Sequence, residues 1–109
     1  MKTNIIVNLQ VEGLHAWPDC DIDRAKYLRN THRHLFWITA KKEVTDDDRQ
    51  IEIICFKREI SDFLTQQFRQ PCDFGTMSCE MIARFLMHRF DLNYCRVLED
   101  GENGAEVQL

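Results

Sequence analysis

The sequence predicts an α+β domain with two helices packed on one face of an antiparallel sheet. Three observations carry this. Apolar residues alternate with a period of two near the N-terminus, shift to a helical period after Phe56, and return to short strand-like runs after Asn93. Runs of strands around a helical pair are the signature of that class. In outline the order is ββ-α-α-ββ, with a further strand expected to close a hairpin on the second, and residues 1–109 are read as one domain.

The first strand is carried by Ile5, Val7, Leu9 and Val11, which alternate with Ile6, Asn8 and Gln10. A long connection, Gly13 to Asn30, follows, with a short helical turn expected around Asp23 to Leu28; connections of this length tend to serve function. His32 to Val44 reads as the second strand. Thr45-Asp46-Asp47-Asp48-Arg49 reads as a solvated hairpin tip without a ligand, and Ile51 to Phe56 as a third strand. Ile60, Phe63, Leu64 and Phe68 then fall on one face of a helix. A break spans Gln70 to Gly75. The second helix starts at Ser78 as N-cap, with Glu80 in its first turn. Its buried stripe is expected to be Met81, Ile82, Phe85 and Leu86, with Met87 or Phe90. Cys95 to Leu98 and Ala105 to Leu109 close the chain as a hairpin around Asp100–Gly104.

Composition narrows the function classes. Fourteen basic against eighteen acidic side chains give a net charge of −4, which argues against a nucleic-acid partner. No apolar run reaches the roughly 18 residues of a membrane span, and Met1 to Asn8 lacks the apolar core of a signal peptide. The five cysteines, Cys20, Cys55, Cys72, Cys79 and Cys95, are odd in number and form no CxxC pair, which reads as reduced thiols in a cytoplasmic setting. Cys55 and Cys95 fall in apolar strand patterns and are expected in the core. The spacing of Cys72 and Cys79 matches no common zinc module.

The histidines are the informative residues. His32 and His34 form an H-x-H at the start of the second strand, so both rings leave the same face. His15 follows the first strand and comes beside them if the two strands pair. Three imidazoles with an open position are a catalytic zinc arrangement. Hydrogen-bonded structural histidines are the competing reading of the same residues. His88, on the polar side of the second helix, reads as a surface residue.

At this point the chain resembles a known family, the 6-pyruvoyl- and 6-carboxytetrahydropterin synthases. Val11-Glu12-Gly13-Leu14-His15 is similar to their F-x-A-A-H, and Thr31-His32-Arg33-His34-Leu35-Phe36 to their H-G-H-N-Y. Cys55-Phe56-Lys57-Arg58-Glu59-Ile60 stands at their D-F-x-x-L, Ser78-Cys79-Glu80-Met81-Ile82-Ala83 at their T-x-E-x-x-A, and Val97-Leu98-Glu99-Asp100 at their V-x-E-T. The resemblance runs in order along nearly the whole chain.

It implies the tunnelling fold (T-fold), and Zn2+ held by His15, His32 and His34. It also implies Glu99 as the carboxylate anchoring a pterin ring, with Ser78 nearby. Without the resemblance, Glu99 reads as a solvated residue at a hairpin tip and Ser78 simply as a helix cap. The resemblance further implies a small pterin-like ligand, dihydroneopterin triphosphate or a relative, and a homo-oligomer, trimer or hexamer, with sites between subunits.

The departures concern catalysis by a carbon-oxygen lyase. The family's reactive cysteine falls at Leu28, and its D-H-x-x-L-N segment has no counterpart in Gln67–Thr76. Cys20 and Asp73 are substitutes without a motif, so no catalytic residue is assigned. Arg33 replaces a glycine and is expected on the opposite side of its strand. Three functions follow: a zinc-dependent synthase-like enzyme, a non-catalytic protein binding a pterin- or purine-like ligand on the same fold, and a metal-free structural oligomer.

Overall fold

Alternation decides the sheet. Val7 and Leu9 on the first strand, Phe36, Ile38 and Ala40 on the second, and Cys95 and Val97 on the fourth are all buried, and each set is spaced by two. In a computed structural model describing residues 1–109, strand β1 (Thr3–His15) pairs antiparallel along its length with β2 (His32–Val44). β2 in turn pairs with β4 (Tyr94–Glu99), and β4 with β5 (Asn103–Gln108). A two-residue strand, β3 (Cys72–Asp73), runs parallel to the end of β1, giving the order β3-β1-β2-β4-β5. Helices α1 (Ile53–Phe68) and α2 (Cys79–Phe90) cover the apolar face, and a 3-10 helix spans Asp23–Arg29 in the long connection.

One cluster of 19 buried residues fills the space between sheet and helices. The helices meet through aromatic edges: Phe63 packs against Phe90 at 5.3 Å and Phe56 against Phe90 at 6.2 Å between ring centroids. Such edge-to-face pairs add to simple burial.

Several expectations are corrected. The third strand, Ile51 to Phe56, does not exist. The Glu52 carboxylate accepts hydrogen bonds from the N–H groups of Ile54 (2.9 Å) and Cys55 (3.0 Å), and so starts a helix where the alternation suggested a strand. The Asp46–Asp48 run is therefore no hairpin tip. Gln50 Oε1 accepts from the N–H groups of Thr45 and Asp46, folding a strand-to-helix connection. Cys55 consequently lies exposed on α1, whereas Cys95 is fully buried as expected; all five cysteines are free.

The stripe of α2 is rotated from the expected one. Met81 is exposed and Phe85 sits at the margin, while Cys79, Ile82, Ala83, Leu86, Met87 and Phe90 are buried. Ser78 does cap α2, its Oγ accepting from Met81 N–H at 3.1 Å. The sheet is not wholly antiparallel, because β3 forms inside the segment read as a break. The helical turn expected around Asp23 to Leu28 is the 3-10 helix Asp23–Arg29, a third helical element beside α1 and α2.

Candidate metal centre

Strand register delivers the histidines. His15 pairs with His32, Gly13 with His34, and Phe36 with Glu99. Residues opposite one another in antiparallel strands point to the same face. His15, His32, His34 and Glu99 therefore leave the sheet on the core side, where the apolar stripe runs out. Their ligand atoms all lie within 4.8 Å of one another. Arg33, between the two histidines, points to the other face as expected and pairs with Glu12 at 2.6 Å.

The cluster stands on an aromatic floor. The Phe36 ring is fully buried and lies edge-on to His15 and His34, with centroids at 5.2 and 5.8 Å. Gly13 makes room for it: a Cβ there would lie 2.7 Å from the rings of both Phe36 and Phe74.

Each histidine is oriented through its other nitrogen. His15 Nδ1 is 2.9 Å from the carbonyl oxygen of Met77, and His32 Nδ1 is 2.8 Å from that of Asn30. His34 Nδ1 is 2.8 Å from Asp100 Oδ2. Carbonyl and carboxylate oxygens only accept, so all three Nδ1 atoms donate, and the three Nε2 atoms are the ones turned inward. This is the outer-shell pattern of metal-bound histidine. Asp100 is itself fixed. Its Oδ1 accepts from Leu35 N–H at 3.0 Å, and this bond, followed by the one from His34, holds its carboxyl below the usual aspartate value.

The inward atoms are unsatisfied. Glu99 Oε2 lies 2.8 Å from His15 Nε2 and 3.5 Å from His34 Nε2, yet none of the three buried Nε2 atoms has a hydrogen-bond partner. Two acceptors this close repel unless a positive charge sits between them. A single proton can bridge only one such pair. A divalent cation takes the three lone pairs and the carboxylate together, so the donor set fits a metal ion. Glu99 is the last residue of β4, half-buried against the histidines, rather than a solvated residue at a hairpin tip.

A cavity of about 540 Å³ opens beside the cluster. His15, His32 and Glu99 form its polar end, and Trp17, Leu28, Met77 and Met81 its apolar walls. Ser78 lines it as well, so the helix cap also faces the cavity. The Trp17 N–H donates to the Leu28 carbonyl at 2.7 Å, which brings the 3-10 helix over the end of β1 and Leu28 to the wall.

Cys20 is buried away from the cavity, its thiol against the carbonyl of Ala25. Asp73 is exposed and accepts from Gly75 N–H. Neither lines the cavity, so neither substitute is brought to the site. Cys79 does line it, but burial, followed by the nearby charge of Glu99, pushes its thiol up to about 12. His88 is exposed on α2.

Two residues escaped sequence reasoning. Asp100 stood only as the last position of a motif, although an acidic residue just beyond a candidate ligand strand is a signal for an outer-shell partner. The Met77 carbonyl left no signal at all. It reaches His15 because β3 and the Phe74 N–H to Leu14 carbonyl bond (2.8 Å) draw its segment against β1. Neither protein-family models nor curated proteins give a match to the chain.

Proposed function

We propose that the chain is a zinc-binding protein of the 6-pyruvoyl/6-carboxytetrahydropterin synthase type, on a tunnelling fold, which takes a pterin-like ligand into the cavity beside Glu99. The observation that carries this is the convergence of three buried Nε2 atoms without hydrogen-bond partners, each opposite a donating Nδ1, on one carboxylate. Three imidazoles and one carboxylate suit zinc among the common ions. Zinc, when bound, supplies a Lewis acid that polarises an oxygen of the ligand's side chain. Glu99 borders both cluster and cavity: its Oε2 faces the histidines, and its Oε1 is left to accept an N–H bond from a 2-amino-4-oxo ring. The Ser78 hydroxyl hydrogen is free to donate, since its oxygen already accepts from Met81.

A specific observation favours binding without turnover, a sequestering role, over catalysis. Leucine occupies the cavity wall at position 28, where the resemblance puts a reactive cysteine, and it can neither donate nor accept a proton. The only thiol on the wall, Cys79, stays protonated at neutral pH.

The open edge of β1, which β3 covers only at Gly13 and Leu14, supports a homo-oligomer, trimer or hexamer, with sites between subunits. Free cysteines, and the lack of any helix long and apolar enough to cross a membrane, support a cytoplasmic setting.

Elemental analysis after chelator-free purification tests the metal. About one zinc per chain is expected, and fewer than about 0.3 would sink the metal site. Pterin binding by calorimetry, lost in Glu99→Gln, tests the anchor. A Leu28→Cys variant tests the missing nucleophile: a gain of synthase activity supports a lost cysteine route, and no gain removes it.

A further inference from the structure

We infer that Trp37, on the face of the sheet turned away from the histidines, is a positioning residue for the metal centre: its indole holds the β4–β5 turn, and with it Glu99 and Asp100, in place. This rests on the cluster being a metal centre, as proposed above.

Trp37 sits on β2 between Phe36 and Ile38. Both of these are buried in the core, so the period of two sends the indole to the opposite face, between Gln10 of β1 and Leu98 of β4. The β2–β4 pairing ends one residue away, at Phe36 and Glu99. There the chain reverses. The Glu102 N–H donates to the Glu99 carbonyl at 2.9 Å, and Glu99 pairs with Asn103.

The turn thus carries, side by side, two groups that face the histidines. Glu99 Oε2 is 2.8 Å from His15 Nε2, and Asp100 Oδ2 is 2.8 Å from His34 Nδ1. β2 ties the turn down from one side: the Asp100 N–H donates to the Leu35 carbonyl at 2.7 Å, and the Leu35 N–H to Asp100 Oδ1.

Trp37 closes the other side. A Cβ built on Gly101 would lie 3.1 Å from Trp37 Cε2 and 3.3 Å from Cδ2, so the glycine backbone packs directly on the indole. Asp100 and Gly101 both have positive φ, 56° and 72°. That conformation is unfavourable for an L-residue, and glycine is the residue with the most backbone freedom. Such a turn keeps its shape only where its surroundings fix it. A flat ring with two side-chain torsions is a stiff support. Without it the turn is free to shift, and both carboxylates lose their aim.

The full chain carrying Trp37→Ala, Trp37→Phe or Ile6→Ala tests this. Ile6 is the matched control, exposed and apolar on the same face but four residues along β1 from Gln10, the cross-strand partner of Trp37. Zinc affinity by chelator competition should fall about tenfold in Trp37→Ala, the lower end for a group acting behind the ligands. It should recover most of that loss in Trp37→Phe and hold in Ile6→Ala. Visible absorption of the cobalt(II)-loaded protein, which reads ligand number and geometry, should change in Trp37→Ala alone. In the metal-free protein, amide hydrogen exchange at Leu35 and Asp100 should quicken severalfold in the same variant.

A wild-type chain that takes up no metal overturns the metal reading, and this role with it. With metal bound, three results overturn the role of Trp37 alone: affinity and cobalt spectrum unchanged in Trp37→Ala, an equal loss in Ile6→Ala, or no recovery in Trp37→Phe. Faster exchange at Leu35 and Asp100 with affinity intact overturns it as well, since the indole would then steady the turn but not the centre.

Discussion

The two ends of the sheet's inner face make an instructive pair. Towards one end Val7, Leu9, Ile38, Ala40, Cys95 and Val97 meet α1 and α2 in a packed core. Towards the other, the same strands in the same register present His15, His32, His34 and Glu99 to a cavity. Alternation is identical in both regions. What differs is the cover: packed helices at one end, open space at the other. A period of two fixes which way a side chain points, but not whether its environment is dry. Phe36 belongs to both regions, as core residue and as floor of the cluster.

Removing that shared residue should break the comparison most severely. Phe36→Ala is expected to cost about 3–5 kcal/mol in urea unfolding and to weaken zinc binding as well. Ile38→Ala, two residues into the core end, should cost about 2–5 kcal/mol while zinc affinity of the folded protein holds. If Phe36→Ala leaves zinc affinity intact, the two regions are independent.

The ligand end should show the reverse pattern. His34→Ala is expected to weaken zinc binding by about a hundredfold or more in chelator competition, since even outer-shell partners are worth about 10–100-fold. Asp100→Asn should weaken it about tenfold. Chelation should lower the melting temperature of the wild type more than that of His34→Ala. Equal chelator sensitivity of the two proteins would remove His34 from the ligand set.

Gly13 sharpens the boundary between the regions. Gly13→Ala sets a methyl group against Phe36 and Phe74, with an expected cost of about 1–3 kcal/mol by chemical denaturation. An unchanged midpoint would mean that the aromatic floor is free to move.

The smallest effects should come from the two helix caps. Ser78→Ala should cost about 0.5–2 kcal/mol. Glu52 caps with a carboxylate whose pKa is lowered below 4.5, chiefly by the N–H groups of Ile54 and Cys55. Its contribution is therefore complete above pH 4.5 and lost as the pH falls through the lower folded value. Comparing thermal melts of the wild type and Glu52→Gln between neutral pH and pH 3 should show the smaller acid-induced loss in the variant. Parallel curves would remove this linkage.

Legibility in the sequence follows the same division. The long strands, the amphipathic face of α1 and the Ser78 cap were readable because each repeats a pattern or places one residue type at a boundary. The convergence of His15 on His32 and His34 was readable because neighbouring strands pair. Ile51 to Phe56 misled, because Ile51, Ile53 and Cys55 alternate while a single carboxylate two residues before Ile54 decides for helix. The Met81 stripe was displaced because Cys79, Ala83 and Met87, four residues apart beside Ile82, Leu86 and Phe90, complete the buried face, and small or flexible residues mark a face weakly. β3 was invisible: two residues carry no period. Asp100 was hidden because its partners, Leu35 and His34, lie more than 60 residues away.

That separation has a kinetic consequence. Of the three groups that aim the imidazoles, only the Asn30 carbonyl is close in sequence to its histidine; those of Met77 and Asp100 are 62 and 66 residues from theirs. Closing loops of that length is slow, and the contacts form only once distant segments have docked. A tight three-imidazole site therefore exists only in chains that have completed their topology. Capture of a metal ion there would follow folding rather than nucleate it, making its uptake a timer for the last step of refolding.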